Sequence, residues 1–132
     1  MTIKTLLAPN KLSVFVAVLW TLIIMYLSLT TSTKQPHTFK NADKIVHFTF
    51  YFGFVILWYR YLVFKNSALL KNKITLVLVS VFFGIVIEFA QKYLTTTRQA
   101  DIWDVVANST GSLIGIFVAT KLFTTNSLSK KE

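Results

Sequence analysis

Five carboxylates are spread along this chain, and four of them fall at helical spacing among residues that can share a proton, a cation or a phosphate. In "NADKIVHFTFY", Asp43, His47 and Tyr51 recur at i, i+4 and i+8, one face of a helix. In "IEFAQKY", Glu88 and Gln91 are spaced i, i+3, a turn apart. In "RQADIWDVVANSTGSLIG", Asp101, Asp104, Asn108, Gly111 and Gly115 follow intervals of 3, 4, 3 and 4, one continuous stripe preceded by Arg98. Carboxylate with imidazole is the pairing of general acid–base chemistry, with Glu88 or Asp104 as base and His47 as acid or base. Carboxylates with Asn108 would suit a hard divalent cation, whereas the lack of cysteine and the single histidine in these motifs argue against a structural zinc site. Arg98 and Lys44 are suited to a phosphate-bearing headgroup, Arg98 through its bidentate fork.

Each residue also has a plainer role. Asp43 and Asp101 suit helix starts, where the dipole favours acids. Glu88 could pair with Lys92 at i+4, and His47 could be a structural interfacial residue. Tyr51 and the many phenylalanines read as lipid-facing or as core packing. Gly111 and Gly115 form a small-xxx-small pair, read as helix packing. Independent helix caps, however, would not set carboxylates from three segments at one depth.

The elements that must hold these residues follow from composition. Of 132 residues, 54% are hydrophobic and only 14% charged, where a soluble domain carries about a quarter charged. Leu12 to Thr30 bears no charge; Ile45 to Phe64 bears only His47 and Arg60; Ile74 to Lys92 is interrupted by Glu88; Val105 to Thr120 is uncharged. Spanning a bilayer takes about 20 mostly apolar residues. The expected fold is therefore an all-α membrane protein, a bundle of four transmembrane helices over about 12–30, 44–64, 74–93 and 101–123, in a single domain of residues 1–132. The first run is longer than the core of a signal peptide and lacks a small-x-small cleavage site, so it reads as a retained helix.

The net charge of +9 does not signal nucleic acid, because the spans divide the basic residues among loops. Lys4, Lys11, Arg60, Lys65, Lys71, Lys73, Lys121, Lys130 and Lys131 fall on one side, and Lys34, Lys40, Lys44, Lys92 and Arg98 on the other. This excess predicts that both termini are cytoplasmic, with Trp58, Tyr59 and Tyr61 in an aromatic belt beside Arg60. Cysteines at Pro36 or Thr97 should then react with an impermeant thiol reagent in intact cells, while one at Ser67 should not. Labelling at Ser67 alone would invert the topology.

The motifs resemble those of the VanZ-like family. "DKIVHFTFY" is similar to its first motif, aspartate-lysine-x-x-histidine-phenylalanine-x-x-tyrosine. "EFAQKYLTTTRQADIWDVVANSTGSLIG" is similar to its second, E-x-x-Q, then R, then D-x-x-x-N-x-x-G-x-x-x-G. The likeness covers roughly positions 41–118 and carries over to Asp43, Lys44, His47, Glu88, Gln91, Arg98, Asp104, Asn108, Gly111 and Gly115; Asp101 stands where other polar residues also fit. It implies a multi-pass protein, expected in a bacterial cytoplasmic membrane, in a family associated with resistance to the glycopeptide teicoplanin. Three functions stay open at this point. The polar residues could bind or modify a cell-envelope lipid or cell-wall headgroup at the outer interface. They could form an intramembrane hydrolase or transferase, acid–base or metal-assisted. They could also serve a small ion- or proton-coupled transporter, for which four helices leave little room without oligomerisation. Membrane lipids are the expected partners; no nucleotide loop, cofactor fingerprint or serine elbow occurs, and Ser109 lies beside the stripe.

Overall fold

The computed structural model of the chain describes residues 9–30, 41–65 and 70–128. Pro36 and Ser67, two of the positions proposed for labelling, lie outside the described residues, as do Lys4, Lys34, Lys40, Lys130 and Lys131. Four helices follow one another: α1 (Pro9–Leu29), α2 (Ala42–Phe64), α3 (Leu70–Leu94) and α4 (Ile102–Leu128). Each is long and apolar enough to cross a membrane, and the chain is a multi-pass helical membrane protein. Helix α3 begins before the apolar run, taking in Lys71, Asn72 and Lys73, and α4 runs on past Phe123. Charge ends a membrane-compatible stretch but does not end a helix, whose backbone bonds need neither lipid nor an apolar side chain.

Local chemistry marks the helix ends near the polar motifs. Helix α2 starts after Asn41, whose φ of 68° is left-handed, a conformation asparagine tolerates better than most residues. Asp101 is the N-cap of α4: its Oδ1 accepts the Trp103 N–H at 2.9 Å. Helix α3 closes with the Thr95 hydroxyl donating to the Gln91 carbonyl at 2.6 Å.

Helices α2 and α4 pack most extensively, and glycine makes that possible. A Cβ on Gly111 would collide with the Phe48 carbonyl oxygen, and one on Gly115 would lie 3.0 Å from the Phe52 carbonyl oxygen. Two turns of α4 therefore rest directly on the α2 backbone. Below this contact Ile24, Tyr51, Phe54, Val55, Tyr59, Leu76 and Ala119 form the apolar core, with Phe54 and Phe83 stacked at 5.6 Å between centroids.

The distribution of side chains is that of a protein dissolved in lipid. Phe15, Leu22, Tyr26, Phe82 and Phe117 are exposed on the outside, while Ser13, Ser28, Ser80, Gln91, Asn108 and Ser112 are buried. Hydrocarbon offers no hydrogen bonds, so polar groups turn inward, where several of them pair. The Ser80 and Ser112 hydroxyls meet at 2.7 Å, the Trp20 indole donates to the Phe50 carbonyl at 2.9 Å, and the Trp58 indole donates to the Thr21 hydroxyl at 3.1 Å.

One sequence-based expectation needs correction here. Tyr59 is not part of an interfacial belt; it is 2% exposed, packed near Phe123 with the Lys73 ammonium 5.6 Å from its ring centroid. Its neighbours Trp58 and Tyr61 are half-buried. Three consecutive-looking aromatics on a helix point in different directions, and only geometry tells which of them enters the core.

Candidate functional site

The first turn of α2, the last turns of α3 and the first turns of α4 meet at one end of the bundle. There the spacing seen in the sequence becomes a cluster. Asp43 and Lys44 come from the start of α2 and His47 from one turn deeper; Glu88 comes from α3; Asp101, Asp104 and Asn108 come down the facing stripe of α4.

Lys44 is the cation of the outer half. Its Nζ lies 2.8 Å from Asp43 Oδ2, 2.6 Å from Asp101 Oδ2 and 2.7 Å from Asp104 Oδ1. Asp43 and Asp101 leave 51% and 39% of their side chains exposed, whereas Asp104 leaves 9%. Asp101, at the membrane edge, is held below the usual carboxylate range first by its hydrogen bond from Lys44 and then by the Trp103 N–H. Asp101 thus caps its helix and binds Lys44 at once, so the plain and the functional roles of this residue coincide.

His47, Glu88, Asp104 and Asn108 make the inner half, and each is nearly excluded from solvent. His47 Nδ1 is 3.1 Å from Asn108 Oδ1 and 3.6 Å from Glu88 Oε1, while Nε2 is 3.6 Å from Asp104 Oδ2. Glu88 Oε2 accepts the Asp101 N–H at 3.2 Å, which ties α3 to the start of α4. Glu88 therefore faces inward. Its i+4 neighbour Lys92 instead stands over the Tyr93 ring, 5.5 Å from the centroid.

Not every residue singled out in the sequence joins this cluster. Gln91 is 2% exposed, but its Nε2 donates to the Ser28 carbonyl at 2.9 Å, fastening α3 to α1. The Arg98 backbone N–H donates to the Thr95 hydroxyl at 3.3 Å, and its half-exposed guanidinium forms no ion pair with the described residues. Gly111 and Gly115 act through packing. Two inward groups were not assigned to the site by sequence reasoning. Tyr51 is 1% exposed and lies with Asn108 against Gly84. Ser112 donates to the Asn108 carbonyl at 2.9 Å. The signal for Ser112 was present: Asp104, Asn108 and Ser112 recur every four residues, and all three are buried.

Beside the outer half opens a cleft of about 550 Å³ lined by Asn41, Lys44, Asp101, Trp103, Val106 and Ala107. One wall is polar and carries the Lys44–Asp101 pair. The other is apolar, with Trp103 65% and Val106 46% exposed to the surroundings of the bundle. Glu88, His47 and Asp104 lie behind the cleft rather than in its wall.

Comparison with known proteins finds relatives by sequence. A family model described as VanZ/LLP1 matches residues 5–124. An uncharacterized protein of the fission yeast Schizosaccharomyces pombe is 30% identical over 107 residues, which make up 81% of this chain and 60% of that protein. The chain thus spans about 60% of the length of the curated relative that it matches. No solved structure matches.

Proposed function

The chain belongs to the VanZ/LLP1 family, and from that premise we propose that its polar end binds the headgroup of a membrane lipid. The observation that carries this reading is the cleft, polar on one wall and apolar on the other, opening beside the ion-paired Lys44. A lipid has the same division between head and chain, and a groove at the membrane–water boundary would meet both parts at once. The charges refine the ligand. Lys44 is already held by three aspartates, so it has little left to offer a phosphate. Three carboxylates around one ammonium leave this end net negative, with Asp43 and Asp101 partly exposed, which favours a headgroup that brings a positive charge, such as the amine of an aminophospholipid. The fungal relative favours a ligand found in more than one kind of cell, a membrane lipid rather than a wall precursor. Teicoplanin resistance is not required by this reading.

A modifying activity at the same place would use Glu88 or Asp104 as base with His47 as its partner. The 3.6 Å approach of His47 to both carboxylates favours that chemistry. Binding ranks first because none of the three lines the cleft.

The test is to fill the groove. Ala107→Trp places an indole in the cleft wall and leaves Lys44 and its aspartates unsubstituted. Protein extracted in mild detergent should retain an aminophospholipid, detected by mass spectrometry, and Ala107→Trp should lose most of it. Identical lipid retention by both proteins would overturn the headgroup reading.

A further inference from the structure

The inner half of the cluster has a charge arrangement that Lys44 does not complete. The Lys44 ammonium reaches Asp43, Asp101 and Asp104 but makes no ion pair with Glu88. Glu88 is 3% exposed, and its Oε1 has no hydrogen-bond partner among the described residues. A buried carboxylate oxygen without a donor is costly, and such oxygens are normally met by a proton donor, water or a metal ion.

His47 poses the same question from the other side. Its Nδ1 lies 3.1 Å from Asn108 Oδ1, and an amide oxygen only accepts, so Nδ1 carries the hydrogen. In a neutral ring Nε2 then presents a lone pair toward Asp104 Oδ2 at 3.6 Å. Two electron-rich atoms face each other in a site closed to solvent. Either a proton shared by the two groups or a cation between them has to fill that place.

We propose that His47, Glu88 and Asp104 bind a divalent metal ion of the manganese or zinc class, with Asn108 fixing the His47 ring. One ligand atom from each of the three lies within 4.8 Å of the others. With bonds of about 2.0–2.2 Å, three evenly spaced ligand atoms stand at most about 3.5–3.8 Å apart. The side chains must therefore close on the ion by up to about 1 Å, with Glu88 moving from the Nδ1 side of the ring toward Nε2. The hydrogen bond from Nδ1–H to Asn108 is the usual support of a ligating histidine, because it fixes the tautomer and aims the other nitrogen. One imidazole and two carboxylates, in a chain without cysteine, suit manganese or zinc and not a thiophilic ion such as Cu(I). The outer trio Asp43, Asp101 and Asp104 is a poorer site, since Lys44 already occupies its centre. The proposal does not depend on the headgroup reading, because metal binding can be measured without lipid.

The experiment uses the full chain in detergent micelles, with a histidine-free affinity tag and a His37→Gln background, so that His47 is its only histidine. Chelator-treated protein is titrated with Mn2+, and free Mn2+ is followed by electron paramagnetic resonance. One Mn2+ should bind per chain and be displaced by Zn2+, and the 15N resonance of His47 Nε2 should move when Zn2+ is added. Glu88→Gln should abolish saturable binding, Asn108→Ala should weaken it by about 10- to 100-fold, and Asp43→Asn should leave it unchanged. Three results would each overturn the site. Folded protein could bind no more Mn2+ than folded Glu88→Gln. Asp43→Asn could lose as much binding as Glu88→Gln, which would place any ion in the outer trio. The 15N spectrum could show both His47 nitrogens protonated and unmoved by Zn2+, the signature of an imidazolium that satisfies both carboxylates by itself.

Discussion

Gly111→Ala should destabilise the bundle by roughly 2–3 kcal/mol, because the added carbon would meet backbone rather than a side chain that can turn aside. The Phe48 carbonyl oxygen stands where the new Cβ must go, and the Phe48 carbonyl carbon and Cα lie only 3.1 and 3.2 Å from that position. Relief requires α4 to move away from α2 as a body. The same change at Gly115 meets the Phe52 carbonyl oxygen at 3.0 Å, a contact that a few tenths of an ångström would ease, so Gly115→Ala should cost about 1 kcal/mol. Unfolding titrations followed by circular dichroism would give both values. Equal stability of Gly111→Ala and wild type would mean that the two helices are further apart than described. The consequence reaches the site, since Asn108 and Asp104 on α4 meet His47 and Lys44 on α2 across this same seam.

Lys44→Met should be nearly as damaging for a different reason. Methionine keeps much of the length and apolar body of the side chain but removes the ammonium that Asp43, Asp101 and Asp104 share. Removing one partner of a buried ion pair costs about 3–5 kcal/mol, and exposed pairs contribute about 0–1 kcal/mol. Here Asp104 is buried while Asp43 and Asp101 reach water, so a loss of about 2–3 kcal/mol is expected, most of it from Asp104. The same unfolding titration measures it; a loss below about 0.5 kcal/mol would show that water already screens the cluster.

Much of this arrangement was legible in the sequence because membranes impose strong rules. Four apolar runs gave four helices, and the intervals 3, 4, 3, 4 from Asp101 to Gly115 put the stripe on one face. A charge that would otherwise face lipid must find partners, so shared depth implies that Asp43, His47, Glu88, Arg98 and Asp104 meet. The first three and Asp104 do, joined by Lys44, while the Arg98 guanidinium forms no ion pair with the described residues. What periodicity does not encode is where long side chains reach. Gln91 shares a face with Glu88 yet turns to the Ser28 carbonyl on α1, because α1 carries no motif to announce its proximity. The part of Lys44 as the hub of three aspartates was equally hidden, since a lysine in sequence carries no sign of whether its partner will be a ligand or its own chain. Arg98 lies in the link between α3 and α4, where no helical repeat constrains the direction of its guanidinium. Tyr59 went into the core because α2 is covered on several sides, by α1, α3 and α4, and a helix so surrounded loses the clear lipid-facing stripe that marks an aromatic belt.

The central claim is that these residues form one coupled site assembled from separate helices, rather than helix caps that happen to share a depth. A double-mutant cycle between Lys44 on α2 and Asp104 on α4 tests it most directly, with Lys44→Met, Asp104→Asn and the combined variant unfolded under the same conditions. If Lys44 and Asp104 form a buried pair, removing the second charge should relieve the first loss. The double variant should then be more stable than the sum of the single changes implies, by about 1–3 kcal/mol. Losses that simply add, to within about 0.5 kcal/mol, would contradict the shared site and leave four packed helices with independently charged ends.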